Sequence, residues 1–165
     1  MIKTSIIVPV FNEEEVIEKV ISELKKYLSQ DCEIIVVDDG STDRTKQLLE
    51  GMHDITVIYH SENRGYGAAI KSGIQKSRGE YILIIDADGS YPITSITELI
   101  NQKEKYDMVV AARRSSKNQT PFIRKPIKWA LGRLANFLTR TKIPDLNSGL
   151  RIINKNILSQ FIHLL

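Results

Sequence analysis

The chain has 165 residues, enough for one domain with a sizeable core, and its 42% apolar and 26% charged residues are typical of a soluble globular protein. A single cysteine, Cys32, excludes an internal disulfide and favours a reducing compartment. Because no apolar run approaches the roughly 18 residues needed to span a bilayer and no signal peptide precedes the first one, we expect a cytoplasmic protein.

Apolar runs alternate with helical patterns along the first 113 residues. We predict strands at 6–10, 33–39, 54–60, 81–86 and 107–113. Helices are predicted at 13–28, after Ser41 or Thr42 as N-cap, at 65–77 and near 93–103. Continuous apolar strands that alternate with helices indicate an α/β domain, with a mostly parallel central sheet and helices on both faces. We predict that residues 1–165 form a single domain.

Polar or charged residues follow every predicted strand. In chain order the strand ends read PVFNEE, DDGSTD, HSENRG, DADG and AARR. Ligands of open α/β sheets bind outside the carboxyl ends of the strands. The sequence therefore predicts a binding site at this edge of the sheet.

Two carboxylates, Asp86 and Asp88, follow the fourth predicted strand. Paired hard oxygen ligands suit Mg²⁺ or Mn²⁺, with water and substrate phosphates completing the coordination. The alternative is a simple turn, because Asp and Gly favour turns and Asp can cap the next helix. The polar ends of the other four strands favour the metal site.

Three acidic residues, Asp38, Asp39 and Asp43, follow the second predicted strand. An acid at such a position can hold a ribose hydroxyl or the N–H edge of a nucleobase. A helix N-terminus alone explains Ser41 and Asp43. Asp38 and Asp39 lie side by side despite their repulsion, which favours a ligand role for them.

The glycine-rich stretch NRGYGAAIKSGI, residues 63–74, leads into a helix but matches neither a P-loop nor the dinucleotide fingerprint. We interpret it as a tight turn followed by close helix packing, with Asn63 and Arg64 as the candidate ligand contacts. The histidines, His53, His60 and His163, lack metal-ligand spacing, so we predict ordinary surface or core roles for them.

The net charge of +3 is unevenly distributed. Nine Lys or Arg residues and no Asp or Glu lie in residues 113–142, here called the basic segment, so the rest of the chain carries −6. Apolar residues at helical spacing make this segment amphipathic, which suits a membrane interface or an anionic lipid headgroup. The alternative is a helix packed on its own sheet with a solvated basic face. No aromatic-basic RNA motif is present, so we predict no nucleic-acid partner.

The motifs PVFNEE, DDGSTD, NRGYGAA, DADGSYP and DLNSGLR stand in one order between Ile6 and about Arg151. This set resembles the family 2 glycosyltransferases, and within them the polyprenyl-phosphate glycosyltransferases such as dolichol-phosphate mannosyltransferase. The resemblance implies a GT-A (nucleotide-diphospho-sugar transferase) fold and an inverting, metal-dependent transfer of a sugar from a UDP- or GDP-sugar to a lipid phosphate. It also implies a peripheral location at the cytoplasmic face of a membrane, with the oligomeric state unknown.

The resemblance also assigns roles to individual residues. The metal site falls on Asp86 and Asp88, and the residue that faces the phosphates falls on Arg113. Relatives often supply a further ligand from DADLQ, where this chain has Gly89 and Ser90, so Ser90 is the candidate third ligand. The expected nucleotide contacts are Pro9, Phe11, Asn12, Glu13, Val37, Asp39 and Ala87. The expected acceptor contacts are Arg133, Ser148 and Arg151.

Relatives continue beyond the point where this sequence ends at FIHLL, so we expect a domain truncated at its C-terminus. A catalytically incomplete nucleotide-binding fragment is therefore one alternative. The other is a receiver-type signalling domain, which also gathers acids around Mg²⁺. In that class the paired acids follow the first strand and a Lys follows the fifth, whereas here the acids follow strands two and four.

Overall fold

The structure, a computed structural model, describes residues 1–89, 91–92, 94–112 and 148–162, and residues 133, 137, 140 and 145 between them. The chain divides into two compact units, Met1–Val110 with Gly149–Leu165, and Ala111–Ser148. Every described strand lies in the first unit. Ser90, Arg113 and most of the basic segment lie outside the described residues. No helix in the described part of the chain is long and apolar enough to cross a bilayer.

One six-stranded sheet forms the first unit. Its strands are β1 (Thr4–Val10), β2 (Cys32–Asp38), β3 (Thr56–Tyr59), β4 (Tyr81–Ile84), β5 (Met108–Val110) and β6 (Arg151–Asn154). The described helices are α1 (Ile17–Tyr27), α2 (Thr45–Glu50), α3 (Tyr66–Lys76), α4 (Thr94–Gln102) and α5 (Lys155–Phe161).

The strand order is β3-β2-β1-β4-β6-β5. β1 pairs in parallel with both β2 and β4, and β2 pairs in parallel with β3, whereas β6 is antiparallel to its neighbours β4 and β5. The predicted mostly parallel sheet is therefore confirmed. The chain builds outward from β1 on one side and then returns to its other side at β4. This reversal creates a crevice at the carboxyl ends of β1 and β4, where open α/β sheets bind ligands.

The sheet is buried on both faces, which explains why its strands read as continuous apolar runs. One face carries a cluster that joins β1, β2 and β4 to α3, with Leu158 and Ile162 packed against it. Residues that alternate with this cluster, such as Ile6, Val36 and Leu83, are equally buried. Each central strand therefore contributes its whole length to the core.

Two details differ from the sequence-based expectations. β6 was not predicted, and it lies between β4 and β5, so the fourth and fifth predicted strands are not neighbours. The predicted N-cap is also wrong, because α2 begins at Thr45 and its N-cap residue, Arg44, makes no side-chain cap bond. Ser41 instead accepts the backbone N–H of Asn12 at 3.0 Å, a bond between two loops.

Candidate active site

A cleft of about 410 Å³ opens at the crevice beside β1 and β4. The loops after β1, β2 and β4 and the start of α3 supply its walls. Its lining residues are Pro9, Val10, Phe11, Glu13, Asp39, Asn63, Gly65, Tyr66, Ala69, Asp86, Ala87 and Asp88. Eight of these were predicted from the sequence as site residues or candidate ligand contacts: Pro9, Phe11, Glu13, Asp39, Asn63, Asp86, Ala87 and Asp88.

Bonds from backbone amides to side-chain oxygens join the loop after β1 to the loop after β2 and the start of α2, and they hold one wall of the cleft. The amide of Thr42 donates to Asn12 Oδ1 at 2.8 Å, and the amide of Glu13 donates to Thr45 Oγ1 at 2.9 Å. Gly40 has φ +76°, and a Cβ there would lie 2.5 Å from the backbone carbon of Glu62, so only glycine fits. This wall of the cleft is therefore fixed by hydrogen bonds between segments distant in sequence and by close backbone contact.

Asp86 is held between two residues that approach it from different elements. The Tyr66 hydroxyl donates to Asp86 Oδ1 at 2.8 Å. On the other side, a Cβ added to Gly149 would lie 1.7 Å from Asp86 Oδ2, so the carboxylate occupies the space that a side chain would need. Burial, and then the bond to Asp86, raises the pKa of Tyr66, although the nearby charge of Arg151 opposes that rise. The phenol therefore stays protonated and acts as a donor.

Asp88 lies close enough to Glu13 for their charges to repel. Burial raises the pKa of Glu13, and the charges of Asp88 and Asp43 raise it further. A divalent cation would relieve this repulsion, and carboxylate oxygens are the ligands that Mg²⁺ and Mn²⁺ prefer. Among the described residues no three His, Cys, Asp or Glu side chains are grouped to hold an ion. Asp86 and Asp88 fit a site in which substrate phosphates and water supply the remaining ligands.

Asp39 is the second fixed carboxylate of the cleft, and only 4% of its surface is exposed. It accepts bonds from His60 Nδ1 at 2.6 Å and from the amides of Arg64 at 3.0 Å and Gly65 at 2.8 Å. Burial alone would raise the pKa of Asp39, but these bonds outweigh it and lower the pKa below the usual value. Asp39 is therefore a stable anion in the wall of the cleft.

The adjacent Asp38 has a different role. Its Oδ1 accepts the amide of Ser41 at 3.0 Å, and the residue is 2% exposed. Asp38 therefore shapes the turn after β2. Asp43 also shapes local structure, because it accepts the amides of Glu14 and Thr45 at the start of α2.

The other predicted site residues that the structure describes are not among the residues that line the cleft. The Asn12 side chain joins two loops, and the Val37 side chain is buried in the core; neither lines the cleft. Arg151 begins β6 in the first unit, opposite Ile84 of β4. In the second unit, Ser148 donates to the carbonyl of Ala111 at 2.6 Å, and Arg133 is exposed.

Two residues of the site, Tyr66 and His60, were not predicted from the sequence. Tyr66 was included in a stretch interpreted as a turn and helix packing, and His60 was assigned an ordinary role. His60 begins the HSENRG strand end and Tyr66 directly follows it, so that motif was the available signal. What the sequence lacked was the identity of their carboxylate partners, Asp39 and Asp86, which lie 20 or more residues away.

This fold and a cleft with paired carboxylates at the switch point define an α/β protein that binds its ligand at the carboxyl ends of its strands. The chain belongs to the family described as Glycosyl transferase family 2, which matches residues 5–161. It is 32% identical over 170 residues to the undecaprenyl-phosphate 4-deoxy-4-formamido-L-arabinose transferase of Proteus mirabilis, covering 97% of this chain and 51% of that protein. The chain spans about half the length of the curated relatives it matches.

Solved structures confirm the GT-A fold. Glucosyl-3-phosphoglycerate synthase from Mycobacterium tuberculosis, in complex with Mn²⁺, UDP-glucose and phosphoglyceric acid, matches with a TM-score of 0.75 at 22% identity, over 95% of this chain and 58% of that one. The mannosyltransferase PcManGT from Pyrobaculum calidifontis, in complex with GDP-Man and Mn²⁺, matches with a TM-score of 0.70 at 22% identity. The match covers 96% of this chain and 46% of that one. Both relatives bind a divalent ion together with a nucleotide-sugar.

Removing the Tyr66 hydroxyl should weaken metal binding at Asp86. Groups that orient a metal ligand typically contribute a factor of about 10 to 100 in metal affinity, and we expect a loss of about tenfold in Tyr66→Phe. The measurement is a Mn²⁺ titration followed by calorimetry. Tyr27→Phe, at an exposed position at the end of α1, is the matched control and should bind Mn²⁺ like wild type. Equal affinity in both variants would exclude an orienting role for Tyr66.

Proposed function

We propose that this chain is the sugar-transferring domain of an inverting glycosyltransferase. The donor is a UDP- or GDP-sugar, and the acceptor is a polyprenyl phosphate. The observation that carries this proposal is one cleft with Asp39 in one wall and the pair Asp86 and Asp88 in another. Family membership and the GT-A fold support it.

Each wall of the cleft suits a different part of the donor. Asp39 is a fixed acceptor for an N–H or hydroxyl of the nucleoside, and Phe11, 43% exposed, offers an aromatic surface to the base. Asp86 and Asp88 would hold Mg²⁺ or Mn²⁺ beside the diphosphate, with Tyr66 orienting Asp86. When bound, the ion supplies electrostatic stabilisation to the departing diphosphate.

The acceptor proposal has separate support. A lipid phosphate is already anionic at neutral pH, so it needs no strong general base to attack the sugar. Arg151 places a positive charge near Tyr66 and is proposed to hold the acceptor phosphate. The acceptor roles of Arg133 and Ser148 and the phosphate role of Arg113 stay predictions from the sequence. The Proteus mirabilis relative is named as a transferase that acts with undecaprenyl phosphate. We propose that the basic segment brings the domain to the cytoplasmic face of a membrane with anionic headgroups.

The donor half of the proposal is tested by thermal melting with UDP, GDP and CDP, each with Mn²⁺ or with a chelator. A nucleotide at about a hundred times its Kd stabilises by about 2.7 kcal/mol. For a protein of this size that free energy raises the Tm by about 5–10 °C. We expect such a shift with Mn²⁺ and its loss with chelator. If no nucleotide shifts the Tm in either condition, the donor proposal is wrong.

The acceptor half is tested by transfer of labelled sugar to undecaprenyl phosphate in detergent micelles. Undecaprenol, which has the same chain without the phosphate, is the matched control. We expect label on the phosphate and none on the alcohol. Nucleotide binding without transfer to either lipid would indicate a nucleotide-binding fragment, and equal transfer to both would exclude recognition of the phosphate.

A further inference from the structure

The Asp39 carboxylate has few acceptor positions left for a ligand. An ionised carboxylate offers about four lone-pair positions on its two oxygens. Oδ1 already accepts from His60 Nδ1 at 2.6 Å and from the Arg64 amide at 3.0 Å, and Oδ2 accepts from the Gly65 amide at 2.8 Å. Asp39 lines the cleft, so one position, on Oδ2, remains for a donor there.

His60 is itself fixed from both sides. Its Nδ1 faces Asp39, its Nε2 lies 2.9 Å from the Ser72 hydroxyl on α3, and its side chain is 5% exposed. An Asp–His–Ser series has the connectivity of a hydrolase triad. Neither His60 nor Ser72 lines the cleft, however, so Ser72 has no access to a substrate there. The series serves to hold Asp39 in one orientation.

A single acceptor position discriminates between nucleobases. Uracil presents one N–H between two carbonyls, which one acceptor satisfies. Guanine presents two adjacent donors, N1–H and N2–H, which a carboxylate satisfies fully only when both oxygens are available. Cytosine has a lone pair at N3, which an anionic carboxylate repels. A base that leaves a buried polar group unpaired loses affinity.

A neighbouring residue offers a second contact to the base. Asn63 lines the cleft, and its Oδ1 accepts the amide of Gly65 at 3.1 Å. Its NH₂ group is a donor for a carbonyl of the base, which uracil, guanine and cytosine all carry, so Asn63 supports base binding while Asp39 makes the choice among bases.

We propose that His60 is a positioning residue which, held by Ser72, leaves Asp39 one acceptor position and thereby selects a uridine nucleotide over guanosine and cytidine nucleotides. This inference rests on the proposed function, because it requires that the cleft bind the nucleotide of a sugar donor. It goes further by naming the base and the residue that sets the preference.

The test is calorimetric titration of UDP, GDP and CDP in Mn²⁺ on wild type and on two variants of His60. We expect UDP to bind about tenfold or more tightly than GDP or CDP, the value of one hydrogen bond gained or lost. His60→Leu frees a position on Oδ1, so the ratio of UDP to GDP affinity should fall several-fold. His60→Asn keeps a donor near the Nδ1 position and should restore much of the ratio.

His53→Leu is the matched control, because His53 is exposed on the loop after α2, and it should keep the wild-type ratio. Should His60→Leu fail to fold, Ser72→Ala decides, because it loosens His60 and should lower the same ratio. Tighter or equal binding of GDP by wild type would overturn the inference while leaving the proposed function intact. An unchanged ratio in His60→Leu, or in Ser72→Ala where that decides, would overturn the role of His60. Absence of binding by every nucleotide would overturn both proposals.

Discussion

Asp88→Asn should lower sugar transfer about 100-fold or more while leaving the fold intact. The substitution keeps the shape of the side chain but removes one of the two charges proposed to hold the metal. Loss of a single preorganised electrostatic group typically costs a factor of about 100 to 1,000 in turnover. The Mn²⁺-dependent rise in Tm with nucleotide should disappear together with transfer.

The same variant carries an internal check on stability. In wild type the Asp88 charge helps to raise the pKa of Glu13, which means that the two carboxylates repel in the folded protein. Removing that charge relieves this repulsion, and the Tm in chelator should stay within a few degrees of wild type. Asp54→Asn, at an exposed position with φ +62° that Asn tolerates, is the control and should retain both transfer and the metal-dependent shift. Normal transfer by Asp88→Asn would exclude Asp88 as a metal ligand.

Gly149→Ala should separate activity from stability even more clearly. The added Cβ would lie 1.7 Å from Asp86 Oδ2 and 2.3 Å from its Cγ, so the carboxylate must move. These are atoms of a short side chain at the cleft, and the backbone of β6 can stay in place. We expect transfer and Mn²⁺ affinity to fall about 10- to 100-fold, the range seen when a metal ligand loses its orientation.

Stability should respond differently to this substitution. Displacing the carboxylate costs about 1–3 kcal/mol, as overpacking of a buried site does. The lower entropy of the unfolded chain, about 0.4–1 kcal/mol in favour of Ala, offsets part of that cost. The Tm of Gly149→Ala should therefore fall by no more than about 10 °C, so the protein stays folded at 25 °C, where binding and transfer are measured. Gly51→Ala is the matched control, because its Cβ would meet only the carbonyl of Leu48 at 3.5 Å. If Gly149→Ala binds Mn²⁺ as tightly as the control, contact with Gly149 does not set the position of Asp86.

The family resemblance found in the sequence is confirmed. It depends on strands and strand ends, which can be recognised from short stretches of the chain. Apolar strands that are buried on both faces read as strands because no polar residue interrupts them. The residues that end each strand also meet at one edge for a purely topological reason. This is why Asp39, Asp86 and Asp88 could be predicted together, whereas Pro9 and Phe11 were assigned by the family resemblance.

The N-cap prediction failed because Ser41 had a choice of partners. Ser41 is a good N-cap by type, but its hydroxyl accepts the amide of Asn12 from another loop. The contact of Asn12 with the nucleotide stays a prediction, and the Asn12 side chain holds that same loop. N-cap propensity considers only hydrogen-bond partners that are near in sequence. In the folded protein, another loop offers Ser41 a partner that is distant in sequence.

The sequence alone determined the α/β class, the edge of the sheet that carries the site, and the paired carboxylates. Only the tertiary structure decided that β6 inserts between β4 and β5, that Gly149 packs against Asp86, and that His60 holds Asp39. Each of these depends on residues at least 20 positions apart. Contacts between residues so far apart cannot be predicted from periodicity or spacing, because they follow from how the whole chain packs around its core.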